Sequence, residues 1–154
     1  MTRVSERQAQ LASIRKLPLS PRLNALLEAS AIEAGIDQVV VYSGGQGAAG
    51  SRLPRTGSAR HDRGNAGDLY LIVGKRILDF TVPAERAKVA AFVTACAARG
   101  ATGIGAGTDY MGPSRLHIGF GPRAIWGAAG KRANAPKWLV AAVEAGWLRA
   151  GKAA

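Results

Sequence analysis

Residues 47–67, GAAGSRLPRTGSARHDRGNAG, carry no hydrophobic period and are rich in Gly, Ser, Arg and Asn. A stretch this long without structure of its own is usually either functional or disordered. Strand-like runs flank it: Gln38-Val-Val-Val-Tyr42 before, and Asp68-Leu-Tyr-Leu-Ile-Val73 after. Any fold for this chain must therefore seat an irregular, arginine-rich segment between two strands.

The remaining pattern supplies the scaffold. Residues 1–17 are polar and basic and read as a frayed or weakly helical lead-in. Ser20-Pro21 opens a helix with an N-cap serine and a first-turn proline, Leu23, Leu26, Leu27 and Ala31 keep its period, and Gly35 stops it. Gly74-Lys75 joins Asp68–Val73 to Arg76–Phe80 as a tight hairpin. Pro83 begins a second helix, Ala84–Arg99, and Gly100 ends it. Gly103–Gly107 and Arg115–Phe120 read as two further strands around a turn with Tyr110, Gly112 and Pro113. Pro136 starts a last helix over Lys137–Arg149, within a C-terminal segment 134–150. The expected fold class is α+β, one domain over 1–154, with a small antiparallel sheet flanked by helices.

Composition narrows the function classes. No apolar run approaches the roughly 18 residues a membrane span needs, so no transmembrane segment is expected. The polar N-terminus lacks the apolar core of a secretory signal, and synthesis in a cytoplasm is the expectation. A single cysteine, Cys96, excludes an internal disulfide and a cysteine-rich zinc site. Lys and Arg number 21 against 10 Asp and Glu, a formal charge of +11, which favours a polyanionic partner: nucleic acid, an anionic cell envelope or an acidic membrane surface.

With two histidines and ten carboxylates, site chemistry has few sources. His61 ends the irregular segment, Asp68 opens the following strand, and His117 lies within a later one. Two imidazoles and a carboxylate suit a catalytic zinc with one position left for water. Antiparallel pairing can bring Asp68 beside His117 while the loop folds His61 back over them.

The run Ser58-x-x-His61-x-x-Gly64-x-Ala66-x-Asp68 resembles the metal-binding signature SxHxxGxAxD of zinc D-alanyl-D-alanine carboxypeptidases. Vancomycin-resistance D,D-dipeptidases and phage L-alanyl-D-glutamate endolysins share that signature, and the hedgehog signalling domain shares their fold. Leu116-His117-Ile118 resembles the context of the family's third ligand. Val41-Tyr-Ser43-Gly44-Gly45-Gln46 is similar to its SGYR-type segment, with Gln46 where a substrate-contacting arginine is usual; Arg52, Arg55 or Arg60 could substitute. The family often places an acid three residues before the last histidine, and here that residue is Ser114, which leaves Asp109 as the nearest upstream carboxylate.

The resemblance implies a hedgehog/DD-peptidase-like fold, a Zn2+ cofactor on His61, Asp68 and His117, and zinc-assisted hydrolysis of a peptidoglycan peptide bond. Asp109 would take a proton from water. Gln46 or an arginine would steady the oxyanion or a stem-peptide carboxylate, with Ser58, Arg52 and Tyr110 on the substrate side. Small size and basic charge resemble a monomeric phage endolysin that waits in the host cytoplasm before reaching the periplasmic wall; a virion-associated lysin fits as well. Two other readings compete: a catalytically inactive wall-binding module with a structural zinc, and a basic nucleic-acid-binding protein. The order of glycines, histidines and aspartate has no explanation under the last, so no nucleic-acid partner is expected. Trp126, Trp138 and Trp147 read as packing residues, and Cys96 as a buried small hydrophobe.

Overall fold

Ser20 caps the first helix as its sequence predicts. In the computed structural model, which describes residues 3–6 and 14–153, its Oγ accepts from Leu23 N at 3.2 Å, helix α1 runs Pro21–Ala34, and Gly35 ends it at φ +70°. Helix α2 covers Pro83–Ala98 and α3 covers Lys137–Ala153. α3 starts later than residue 134 because Arg132–Asn134 form a 3-10 turn and Ala135 is extended before Pro136. The C-terminal helix also runs past the residue 149–150 limit expected for it.

Among the described residues, seven strands form one mixed sheet. They are β1 (Val4–Glu6), β2 (Gln38–Ser43), β3 (Ala66–Val73), β4 (Arg76–Ile77), β5 (Gly103–Gly107), β6 (Gly112–Gly119) and β7 (Ala124–Trp126). The order is β1-β2-β3-β6-β5-β7, with β4 pairing β3. The centre is antiparallel as expected, but β1 runs parallel to β2 and β7 parallel to β5, so the sheet is not the purely antiparallel one that the sequence predicts. Both parallel strands have only three residues, and each is held by a neighbour distant in sequence. Val4–Glu6 also corrects part of the lead-in: it is a strand, tied to α1 by Arg3 N donating to Glu28 Oε2 at 2.7 Å. Residues 14–17 form a turn, a bend and a bridge from Leu17 to Gly45, and the lead-in at 1–2 and 7–13 lies outside the described residues.

Period-two alternation gives the sheet two unlike faces. Val39, Val41, Leu69, Leu71, Leu116, Ile118 and Ile104 are buried in one apolar cluster with Leu23 and Leu27 of α1, Phe92 and Val93 of α2, and Leu139 and Val143 of α3. Cys96 lies in the same cluster, where burial pushes its thiol up to about 12. The intervening residues of β3 and β6, Asp68, Tyr70, Arg115 and His117, fall on the opposite face. That face carries the site.

The helical layer has an ionic clamp. Glu33 of α1 accepts from Arg149 of α3 at 2.6 and 2.7 Å and from Arg99, just past α2, at 2.9 Å. Hydrogen bonds from Arg149 and then Arg99 hold its carboxyl down at about 2, against an ordinary 4.5. A depressed carboxylate contributes stability above its unfolded value and loses it as pH falls toward the folded one. The side chains are partly exposed, so solvent screening reduces the contribution. Glu33→Gln should cost about 0.5–1 kcal/mol at neutral pH. The difference from wild type should shrink below pH 4.5 and vanish near pH 2, as read by urea unfolding across that range.

Candidate metal centre

One rung of the sheet builds the centre. Across the strands, Ser43 pairs with Asp68, Asp68 with His117, His117 with Gly105, and Gly105 with Trp126. The two ligand strands thus place carboxylate and imidazole side by side, and Asp68 Oδ1 stands 3.0 Å from His117 Nδ1. Gly105 lets Trp126 lie across the rung. A Cβ there would collide with the indole Nε1 and stand 2.5 Å from its Cε2. With that space open, the Trp126 ring sits 4.9 Å from the His117 ring.

His61 arrives from the loop, on the 3-10 turn Ala59–His61. Its Nδ1 is 2.8 Å from the carbonyl of Gly44, which can only accept, so Nδ1 carries the proton. Burial, working against the attraction of Asp68, pushes the His61 pKa down to about 4 and keeps the ring neutral at pH 7. Its Nε2 lone pair therefore faces Asp68 Oδ2 at 3.5 Å. Burial also opposes ionisation of Asp68. The hydrogen bond from His117 and the Arg15 guanidinium outweigh it and hold the carboxyl below the usual range.

Two acceptors pointing at each other in a buried site call for a cation between them. One ligand atom from each of His61, Asp68 and His117 lies within 4.8 Å of the other two, and all three residues are buried. Bonds of 2.0–2.1 Å in tetrahedral geometry put zinc ligands about 3.3 Å apart. The 3.5 Å between His61 Nε2 and Asp68 Oδ2 is close to that spacing. His117 Nε2 is also buried with no hydrogen-bond partner among the described residues. The Gly44 carbonyl orients His61 as a backbone acceptor commonly orients a ligating imidazole. The donor set fits a divalent metal ion.

Gln46 organises the loop that delivers His61. It is fully buried, and its backbone N–H donates to His61 O at 3.0 Å. Its Nε2 donates to Ser58 O at 2.7 Å and to Asp62 Oδ1 at 2.8 Å, while Oε1 accepts from Thr56 N and Oγ1, both at 2.9 Å. That spends the amide's capacity, so Gln46 positions the loop and does not face the pocket, contrary to the oxyanion role expected of it. Thr56 Oγ1 in turn accepts from Arg15 Nη2 at 2.8 Å, and Arg15 Nη1 reaches Asp68 Oδ2 at 3.2 Å. A single hydrogen-bonded chain thus links the supports of two ligands.

Beside the cluster opens a pocket of about 310 Å3, lined among others by Arg15, Ser58, Arg60, Tyr110 and Trp126. Ser58 and Tyr110, named from the sequence, both line it. Arg52 is exposed and does not line it. Arg55 is engaged with Asp62 at 2.7 Å, whereas Arg60 lies over the Trp126 ring at 4.8 Å. Asp109 is exposed in the turn after β5 and lines a neighbouring pocket. Among the described residues, Asp68 is the one carboxylate lining the metal pocket. Two contributors escaped sequence reasoning: Arg15, set aside with the polar lead-in, and Trp126, read only as packing.

The signature's small residues have packing reasons. Ala66 stands opposite Gly119, where a Cβ would lie 2.6 Å from that of Ala66. Gly64 receives the segment before α1, with Ser20 N donating to its carbonyl at 2.9 Å. Ser58 stands three residues before His61, one more than in SxHxxGxAxD, so His61, Gly64, Ala66 and Asp68 are the positions in register. No family model, curated protein or solved structure matches this chain. No helix among the described residues is long and apolar enough to cross a membrane.

Proposed function

We propose that the chain is a zinc-dependent peptidase of peptidoglycan, with the hedgehog/DD-peptidase type of fold and an endolysin-like role. The observation that carries this reading is the buried His61-Asp68-His117 cluster at the floor of an open pocket, with a neutral imidazole lone pair aimed at a carboxylate. Held there, zinc would supply a Lewis acid for a scissile carbonyl and activate water near pH 7. The chain's own groups would bind and orient the peptide around it. Tyr110 accepts from Trp126 Nε1 at 3.0 Å, which leaves the phenolic proton free to be donated into the pocket. Burial raises the Tyr110 pKa, so that proton stays in place at neutral pH and can be offered to a developing oxyanion. Arg15 and Arg60 give the walls positive charge, and the net charge of +11 suits an anionic envelope.

A second reading keeps the metal and drops the chemistry. It is favoured by the lack of a second carboxylate among the described pocket residues, since a general base must lie within reach of the proton it takes. The two separate on Gram-negative sacculi incubated with the zinc-loaded protein, with and without chelator, and analysed by mass spectrometry. Stem-peptide fragments that disappear with chelator are the expected result, and their masses identify the bond as carboxypeptidase, D,D-endopeptidase or L-Ala-D-Glu type. Intact sacculi with protein holding one zinc would leave the wall-binding module as the function.

A further inference from the structure

The turn that carries Tyr110 into the metal pocket presents its neighbour to another one. Asp109 lines a pocket of about 410 Å3 together with Arg86, Phe80, Trp138 and Asn134. Phe80 and Trp138 form an aromatic wall, with ring centroids 5.0 Å apart. Arg86, on α2, is half-buried and Asp109 is exposed, and neither side chain makes a hydrogen bond or ion pair among the described residues. Other carboxylates of the described residues do hold cations: Asp62 pairs with Arg55, Asp68 with Arg15, Glu85 with Arg76, Glu144 with Arg132, and Glu33 with Arg99 and Arg149.

We infer that this pocket binds a zwitterionic α-amino-acid head, its carboxylate on Arg86 and its ammonium on Asp109. Opposite charges that share a cavity yet do not pair are complementary to a ligand carrying both charges. The guanidinium offers the planar donor geometry that a carboxylate matches. The aromatic wall suits the short aliphatic stem that such a head requires. Asp109 and Tyr110 are consecutive, so their Cα atoms are about 3.8 Å apart. An extended peptide whose scissile bond lay by Tyr110 could therefore place a side-chain terminus at Asp109. The assignment of that terminus to a stem peptide rests on the peptidase reading: a diamino diacid cross-linking residue ends in such a head. The pocket's preference for a zwitterion does not depend on it. Asp109 thereby becomes a substrate-binding residue in place of the proton acceptor expected from sequence.

Calorimetric titration of the full chain with meso-diaminopimelate, pimelate and 1,5-diaminopentane tests this directly. Diaminopimelate should bind at least about tenfold more tightly than either probe, each of which carries only one sign of charge, as expected when one charge-assisted hydrogen bond is lost with each missing group. R86Q and D109N should each weaken it by a similar factor of about ten, with zinc content and Tm unchanged. Equal binding of pimelate, or binding of diaminopimelate unaffected by both variants, would overturn the inference; so would no binding of any probe. Sacculus hydrolysis measured on the same samples keeps the two proposals apart. Hydrolysis without diaminopimelate binding removes the pocket, and binding without hydrolysis removes the peptidase while the pocket stands.

Discussion

Asp68→Asn should give a folded protein whose stability no longer responds to zinc. In the wild type, a metal that binds only the folded chain stabilises it by RT ln(1 + [L]/Kd), about 4 kcal/mol at a thousandfold excess over Kd. For a chain of this size that corresponds to a rise in Tm of about 8–16 °C, reversed by chelator. The substitution removes the negative charge between His61 and His117 and replaces one carboxylate oxygen by an amide nitrogen that cannot bind a metal. Its amide can donate to His61 Nε2, so the lone pair that faces Asp68 Oδ2 gains a proton donor in place of a cation. Arg15 loses its counter-ion. These two changes oppose each other, and the metal-free variant should lie within about 1–2 kcal/mol of the metal-free wild type. Differential scanning fluorimetry of both proteins, with zinc and with chelator, reads the result. An equal zinc-induced rise in the variant would sink the role given to Asp68, and no rise in either protein would remove the metal centre.

The parts of this site that local pattern encodes were legible in the sequence, and those that long-range pairing creates were not. His61, Asp68 and His117 could be named because histidine is scarce and two of the three sit in a spaced motif. Helix α1 was legible to the residue, since a serine cap, a first-turn proline and a terminal glycine are local signals. β7 was not: three residues become a strand only because β5 offers an edge 21 positions upstream. The same absence of local signal hid Arg15, whose partner Asp68 is 53 residues away. Gln46 shows a subtler limit. Its alignment with a substrate-contacting position located a buried polar residue near the site, but whether its amide faces ligand or loop depends on Thr56, Ser58 and Asp62 folding around it.

Gly64→Ala should be the most damaging single-methyl change near the site, and the reason is the clash more than the backbone angle. Gly64 has φ +73°, a conformation that costs a non-glycine residue about 1–2 kcal/mol. That cost alone is tolerable, because Arg63 next to it holds φ +57° and Ala129 holds φ +60°. What distinguishes Gly64 is its surroundings. A Cβ would collide with Pro18 O and lie 2.5 Å from Ser20 N and 2.8 Å from Leu19 C, all backbone atoms that cannot rotate aside. Relief requires either residues 18–20 or the turn at 61–64 to move. The first breaks the hydrogen bond from Ser20 N to Gly64 O and disturbs the cap of α1. The second shifts His61, whose carbonyl accepts from Gly64 N at 3.2 Å. A loss of about 3–5 kcal/mol is expected, strain and steric terms together, or a fall in Tm of about 6–20 °C at this chain length. Zinc affinity should fall with it. Arg63→Ala, in the same backbone region without the collision, should keep both within about 1 kcal/mol of wild type. If Gly64→Ala proved as mild as Arg63→Ala, the close seat of residues 18–20 against the metal loop would be wrong, and with it the account of why the motif needs its glycine.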